Sequence, residues 1–180
     1  MSYSKRLESF ILEMKGGVFF LSPRERMFLD YLEEMGVPEE VVREGIARCY
    51  TSLNPRRRSK YPLFLCFKTV MEEYENYLRL EAQKVSIDWR RRFEKKISLV
   101  RDYLEKDVPV PENEESAQEI LKEIEREIVR RLWRSMDREE RKRIKEKYRE
   151  FENRRDIYGE LIKREVQRIY GIPNLSLYVD

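Results

Sequence analysis

The sequence predicts an all-α fold, and three observations predict it. Apolar residues recur at spacings of three and four along most of the 180-residue chain. Glu, Lys, Arg, Leu and Ile dominate a composition that is 41% charged and 41% hydrophobic. The 6 glycines and 7 prolines punctuate the pattern at intervals suited to helix ends. A chain of this length buries enough surface to fold without a metal or a disulfide framework.

The first helix is read from Tyr3 to Met14, where Leu7, Phe10, Ile11 and Met14 share a face, and Gly16-Gly17 ends it. After the apolar stretch Val18–Leu21, Ser22-Pro23-Arg24-Glu25 supplies a cap, a first-turn proline and a capping box. That second helix carries Met27, Phe28, Tyr31, Leu32 and Met35 and stops at Gly36. Pro38 opens a third, through Val42, Ile46, Cys49 and Leu53, which should break at Asn54-Pro55. Arg56-Arg57-Arg58-Ser59-Lys60 then reads as an exposed basic loop. Pro62 introduces Leu63-Phe64-Leu65-Cys66-Phe67, the densest apolar run and the expected core, with Leu65 and Phe67 buried.

From Leu63 to Lys106 the pattern fits either one helix bent near Ser86 or two, the second capped by Ser86. Lys106–Ser116, with Pro109, Pro111 and several acids, reads as a linker. Beyond it lie one helix with Ala117, Leu121, Ile124, Ile128 and Leu132 and a last long one that opens on the Asp137-x-x-Glu140 box. Ile144, Tyr148, Phe151, Tyr158, Ile162 and Ile169 approximate a heptad interrupted at Arg155. The expected organisation is an N-terminal bundle over 1–106, a linker over 107–116 and a coiled-coil-like C-terminal hairpin over 117–180. Leu175, Leu177 and Tyr178 of its tail should dock.

Thirty-eight basic against 35 acidic side chains leave a net charge of +3, so any polyanion site must come from local clustering. The absence of histidine removes His-based acid/base catalysis, the Ser-His and Cys-His nucleophile pairs and nearly all transition-metal sites. No phosphate-binding glycine loop is present. Cys49 and Cys66 form no CxxC pair and read as unbridged, small buried hydrophobes. With no signal peptide and no apolar run long enough for a membrane span, they point to a reducing, cytoplasmic setting. Abundant Glu, Lys and Arg with few Gln suggest a thermophilic source.

No catalytic residue, metal site or cofactor is expected. Glutamates such as Glu72, Glu73 and Glu75, or Glu119, Glu123 and Glu127, could hold magnesium, but their spacing equally suits ion pairs on solvated faces. Three basic clusters are candidates for phosphate contacts: Arg56, Arg57, Arg58 and Lys60; Arg90–Arg92 with Lys95 and Lys96; and the run from Arg138 to Arg149. Tyr61, Trp89 and Tyr148 lie nearby as stacking surfaces. The first cluster alone contains no acid, which makes Arg56, Arg57, Arg58 and Lys60 the nucleic-acid-binding candidates.

Leu21-Ser22-Pro23, Gly36-Val37-Pro38, Val41-Val42, Gly45-Ile46 and Leu63-x-x-Cys66 resemble an uncharacterised bacterial helical family with an LSP, GIP, VV-x-x-GI and L-x-x-C pattern. The order of elements over Leu21–Leu78 is also similar to the helical C-terminal domain of DnaD-type primosome proteins, with Cys66–Tyr74 in the place of that domain's aromatic motif. This second resemblance implies an association with DNA replication. The expected function is a non-enzymatic interaction or adaptor protein with a protein partner. A nucleic-acid contact through the basic loop is a further expectation, no membrane partner is expected, and an oligomer is left open. The alternative is a metal-dependent helical hydrolase using clustered glutamates.

Overall fold

The computed structural model describes residues 3–85 and 87–179. It is all-helical, and the described residues contain no strand. The chain divides into two compact units, Met1–Leu80 and Glu81–Asp180. The division therefore falls inside a helix rather than in the proline-bearing stretch 107–116. That stretch belongs to the second unit, where Val108 packs against the core.

The first unit contains α1 (Tyr3–Lys15), α2 (Pro23–Glu34), α3 (Glu39–Thr51), the single turn α4 (Pro55–Arg58), a 3-10 turn (Leu63–Cys66) and most of α5 (Phe67–Lys84). Its second helix starts as the sequence dictates. Ser22 Oγ accepts from the Glu25 amide at 3.3 Å, and the Glu25 carboxylate accepts from the Ser22 amide at 2.9 Å. Helix α1 lies against α2 and α3, and the 3-10 turn packs against α2 and α3. Gly45 lets α3 approach α5 closely, because a Cβ there would sit 2.7 Å from the Val70 Cα. Leu63, Cys66, Phe67 and Val70 are buried, with the Phe67 ring edge-on to Phe28 at 6.2 Å between centroids. Leu65 is only half-buried, a correction to its expected core role. In the tight 3-10 turn its neighbours Leu63, Phe64 and Cys66 take the inward positions.

A second correction concerns the cysteines. Both are buried as expected, but they are bridged: Cys49 in the last turn of α3 and Cys66 at the end of the 3-10 turn form a disulfide, with Cα atoms 5.7 Å apart. The packing of the 3-10 turn on α3 brings them together across 17 residues. The inference of a reducing compartment from unbridged cysteines loses its premise.

The second unit contains α6 (Trp89–Leu99), a 3-10 turn (Arg101–Tyr103), α7 (Glu114–Ser135), α8 (Arg138–Lys147), another 3-10 turn (Arg149–Phe151) and α9 (Arg155–Tyr170). The run after Leu63 is thus two separate helices. Asp88 caps the second by accepting from the Arg90 amide at 3.3 Å. Ser86, weighed as that cap, lies outside the described residues, as does Asp180 of the tail. The single long helix expected from Asp137 is interrupted between Tyr148 and Arg154, where Tyr148 and Phe151 both turn inward. The break leaves α8 and α9 as neighbours, and no continuous heptad seam forms.

The tail docks as anticipated, and buried polar side chains hold it. Glu125 of α7 accepts from the Leu175 amide at 3.0 Å and from Gln167 Nε2 at 2.8 Å. Gln118 Oε1 accepts from the Leu177 amide at 2.8 Å, and Lys96 Nζ donates to the Asn174 carbonyl at 3.0 Å. Leu175 and Leu177 thereby enter the core beside Phe93, Val100 and Leu121.

Between α8 and α9, Glu165 accepts from Arg168 at 2.6 Å, Tyr148 Oη at 3.0 Å and Lys147 at 3.2 Å. The Arg168 hydrogen bond, reinforced by the other two against the opposing effect of burial, holds its pKa down to about 2. A carboxylate depressed in the folded state stabilises it above the ordinary value of 4.5 and loses that contribution as pH falls toward 2. Acid titration followed by tryptophan fluorescence should show this loss. Glu165→Gln should flatten it, by no more than about 2 kcal/mol because Arg168 and Lys147 are screened by solvent.

Candidate polyanion-binding site

The basic segment is a short helix rather than an open loop. Pro55 occupies its first turn, and Asn54 Oδ1 accepts from the Arg56 amide at 3.0 Å. Arg56, Arg57 and Lys60 are exposed; Arg58 is half-buried, its Nε reaching the Leu53 carbonyl at 3.4 Å. Among the described residues none of these four cations is in an ion pair.

The segment is fixed at its C-terminal end by a buried polar cluster. The Tyr61 carbonyl accepts from Lys15 Nζ at 3.0 Å and from Tyr50 Oη at 2.7 Å. Glu25 Oε1 takes Lys15 Nζ at 2.5 Å and the Leu63 amide at 3.0 Å, while Oε2 takes the amide and hydroxyl of Ser22, each at 2.9 Å. Lys15 and Glu25 are each about 5% exposed. Burial raises the Glu25 pKa, but the hydrogen bonds from Lys15, Leu63 and Ser22 outweigh it and leave the carboxyl below its ordinary value. Burial also pushes the Tyr50 hydroxyl well above the usual phenol range.

No helical periodicity marks Lys15 for burial, and local sequence gives Glu25 only a capping role; neither signal contains their long-range partners. Within the apolar stretch Val18–Leu21, Leu21 is buried while Phe19 and Phe20 are 91% and 67% exposed.

Several of the other sequence candidates are engaged elsewhere. Arg92 donates to the Ala82 carbonyl at 2.9 Å, Lys96 is buried on the tail, and Arg149 pairs with Glu146 at 2.7 Å. Of the proposed stacking surfaces, Tyr148 is buried, Trp89 carries the Arg90 guanidinium 4.4 Å from its ring, and Tyr61 stands edge-on to Tyr50. Glu73 pairs with Arg48 at 2.5 Å, Glu123 with Arg126 at 2.7 Å and Glu119 with Lys122 at 3.5 Å. Among the described residues no group of three or more His, Cys, Asp or Glu side chains is placed to hold a metal ion. A cavity of about 280 Å³ in the second unit is lined mainly by Tyr103, Leu104, Val108, Ile120, Ile124 and Ile128. No helix among the described residues is long and apolar enough to cross a membrane.

A protein-family model described as "Uncharacterised protein" matches residues 2–86, the stretch that holds the basic helix and its buried anchor. No solved structure matches the chain. An "Uncharacterized protein" of Aquifex aeolicus (strain VF5) is 44% identical over 164 residues, covering 91% of this chain and 94% of that protein. The chain belongs to the uncharacterised bacterial family that this relative represents.

Proposed function

We propose that the protein is a non-enzymatic interaction protein that binds a nucleic-acid backbone through Arg56, Arg57, Arg58 and Lys60. The observation that carries the reading is a cluster of cations with no ion-pair partner among the described residues, on a turn whose backbone is anchored from behind by Lys15, Tyr50 and Glu25. In the other two clusters Arg90, Arg92, Lys96, Arg143, Lys147 and Arg149 contact neighbouring carboxylates or carbonyls, and Glu94, Glu139, Glu140 and Glu146 lie among the remaining cations, whereas the Arg56–Lys60 segment carries no acid. A fixed backbone with unpaired arginines suits phosphate recognition, because the planar guanidinium can donate two parallel hydrogen bonds to phosphate oxygens. The reading is compatible with a cytoplasmic location and with a role beside a protein partner in DNA replication.

Each phosphate neutralised releases condensed counterions, so binding should weaken steeply with salt. Fluorescence anisotropy with a labelled oligonucleotide at several salt concentrations measures the slope. Arg56→Ala/Arg57→Ala/Arg58→Ala should flatten it by up to about three units on a log-log plot. Undetectable binding at low salt, or an unchanged slope in the triple variant, would remove the segment from consideration.

A further inference from the structure

We propose that the nucleic acid bound at this end of the first unit is single-stranded, and that Phe19 and Phe20 are its stacking platform. The inference rests on the phosphate-binding reading above and adds a second, independent observation. Two adjacent phenylalanines are 91% and 67% exposed on a connection that is pinned at both ends. On one side Gly16 and Gly17 both take left-handed backbone angles, φ +64° and +66°, which end α1 and turn the chain outward. On the other, Leu21 is buried and Ser22 caps α2. The connection is therefore a fixed projection, and folding leaves both rings in water.

The same buried cluster ties this projection to the basic helix. Lys15, four residues before Phe19, holds the Tyr61 carbonyl; Glu25, five residues after Phe20, holds the Leu63 amide. Arg57 lies four residues before Tyr61. Four residues span at most about 14 Å, so the two spans and the Lys15 side chain between them keep rings and cations within roughly 40 Å along this path, a separation that a strand of twelve nucleotides can bridge.

Aromatic rings beside cations are what a single strand requires, since unpaired bases offer π-faces and the backbone offers phosphates. A duplex keeps its bases stacked on one another, and a duplex ligand would leave the rings unused. An anionic membrane is disfavoured because the basic helix is a single four-residue turn, too short to present an amphipathic face, and would leave the two rings as the whole apolar anchor.

The full-length protein is titrated with a labelled twelve-nucleotide oligo-dT strand, with a blunt duplex of the same length and with phosphatidylserine-containing vesicles. The strand should bind more tightly than the duplex. Phe19→Ala/Phe20→Ala, which removes no packing contact from the core, should weaken strand binding by about tenfold or more per ring. It should leave duplex binding and the salt slope unchanged. Equal affinity of the double variant and the parent for the strand, with the arginine dependence intact, would overturn the stacking platform and leave the phosphate reading standing. Vesicle binding that alone depends on the two rings would overturn it in favour of a lipid surface. Loss of the arginine-dependent slope itself would sink the phosphate reading as well.

Discussion

Replacing Glu25 with alanine is expected to lower the stability of the first unit by about 3–5 kcal/mol at neutral pH, the range for removing one partner of a buried ion pair. The carboxylate accepts four hydrogen bonds, from Lys15, the Leu63 amide, and the amide and hydroxyl of Ser22. Without it the Lys15 ammonium stays buried with the Tyr61 carbonyl as a remaining acceptor but no counter-charge, and the amide of Leu63 loses its carboxylate acceptor. Part of the loss is the capping box, worth about 1 kcal/mol by itself.

A companion variant separates charge from packing. Glu25→Leu with Lys15→Met removes both ions, and should recover much of the loss, because a well-packed apolar pair of similar volume often matches a buried salt bridge. Both tryptophans, Trp89 and Trp133, lie in the second unit. Urea unfolding followed by far-ultraviolet circular dichroism reports both units, whereas tryptophan fluorescence reports the second. The loss should appear as a lower midpoint in the first signal. The pH dependence has a definite sign: a carboxyl held below its ordinary value stabilises the fold above pH 4.5 and loses that contribution as pH falls through the folded value. Glu25→Ala should remove that acid limb. A destabilisation below about 0.5 kcal/mol would show that the cluster is peripheral to the fold.

What could be read from the sequence and what could not follow from the range of the interactions concerned. The Ser22–Glu25 box was legible because all its atoms lie within one turn of chain. The same Glu25 binds Leu63, 38 residues away, and Lys15, whose burial no periodicity announces. Helix α9 was foreseen as a continuation of α8 because neither Gly nor Pro marks the junction. The interruption comes from tertiary packing, in which Tyr148 and Phe151 are both drawn inside. Leu65 and Phe67 looked equivalent in an apolar run, yet only the three-dimensional turn decides which side chain faces inward. For the candidate site, the basic cluster is visible as composition, whereas the sequence does not distinguish the exposed Phe19-Phe20 pair from the buried Leu21 beside it. Hydrophobicity says what a residue would gain by burial, not whether the chain's path allows it.

Opening the Cys49–Cys66 bridge is expected to lower the stability of the first unit by about 3 kcal/mol, the loop-closure value for a ring of this order of length. The cysteines are 17 residues apart, and the ring they close encloses the whole basic helix. In the unfolded chain the bridge removes conformations in which α3 and the 3-10 turn are far apart. In the folded protein both sulfurs lie in the core, so a reductant reaches them only when the unit opens, and reduction of the native protein should be slow. Cys49→Ala/Cys66→Ala avoids that kinetic barrier; alanine is preferred to serine because a serine hydroxyl would be buried without an assured partner. Urea unfolding of the double variant should show the lower midpoint by circular dichroism. Hydrogen exchange should rise across 54–62 but less at Leu63, whose amide keeps its bond to Glu25. An unchanged midpoint would mean that the polar cluster alone determines how the ring is held. A collapse of helical content would mean that the bridge is required for the unit to fold.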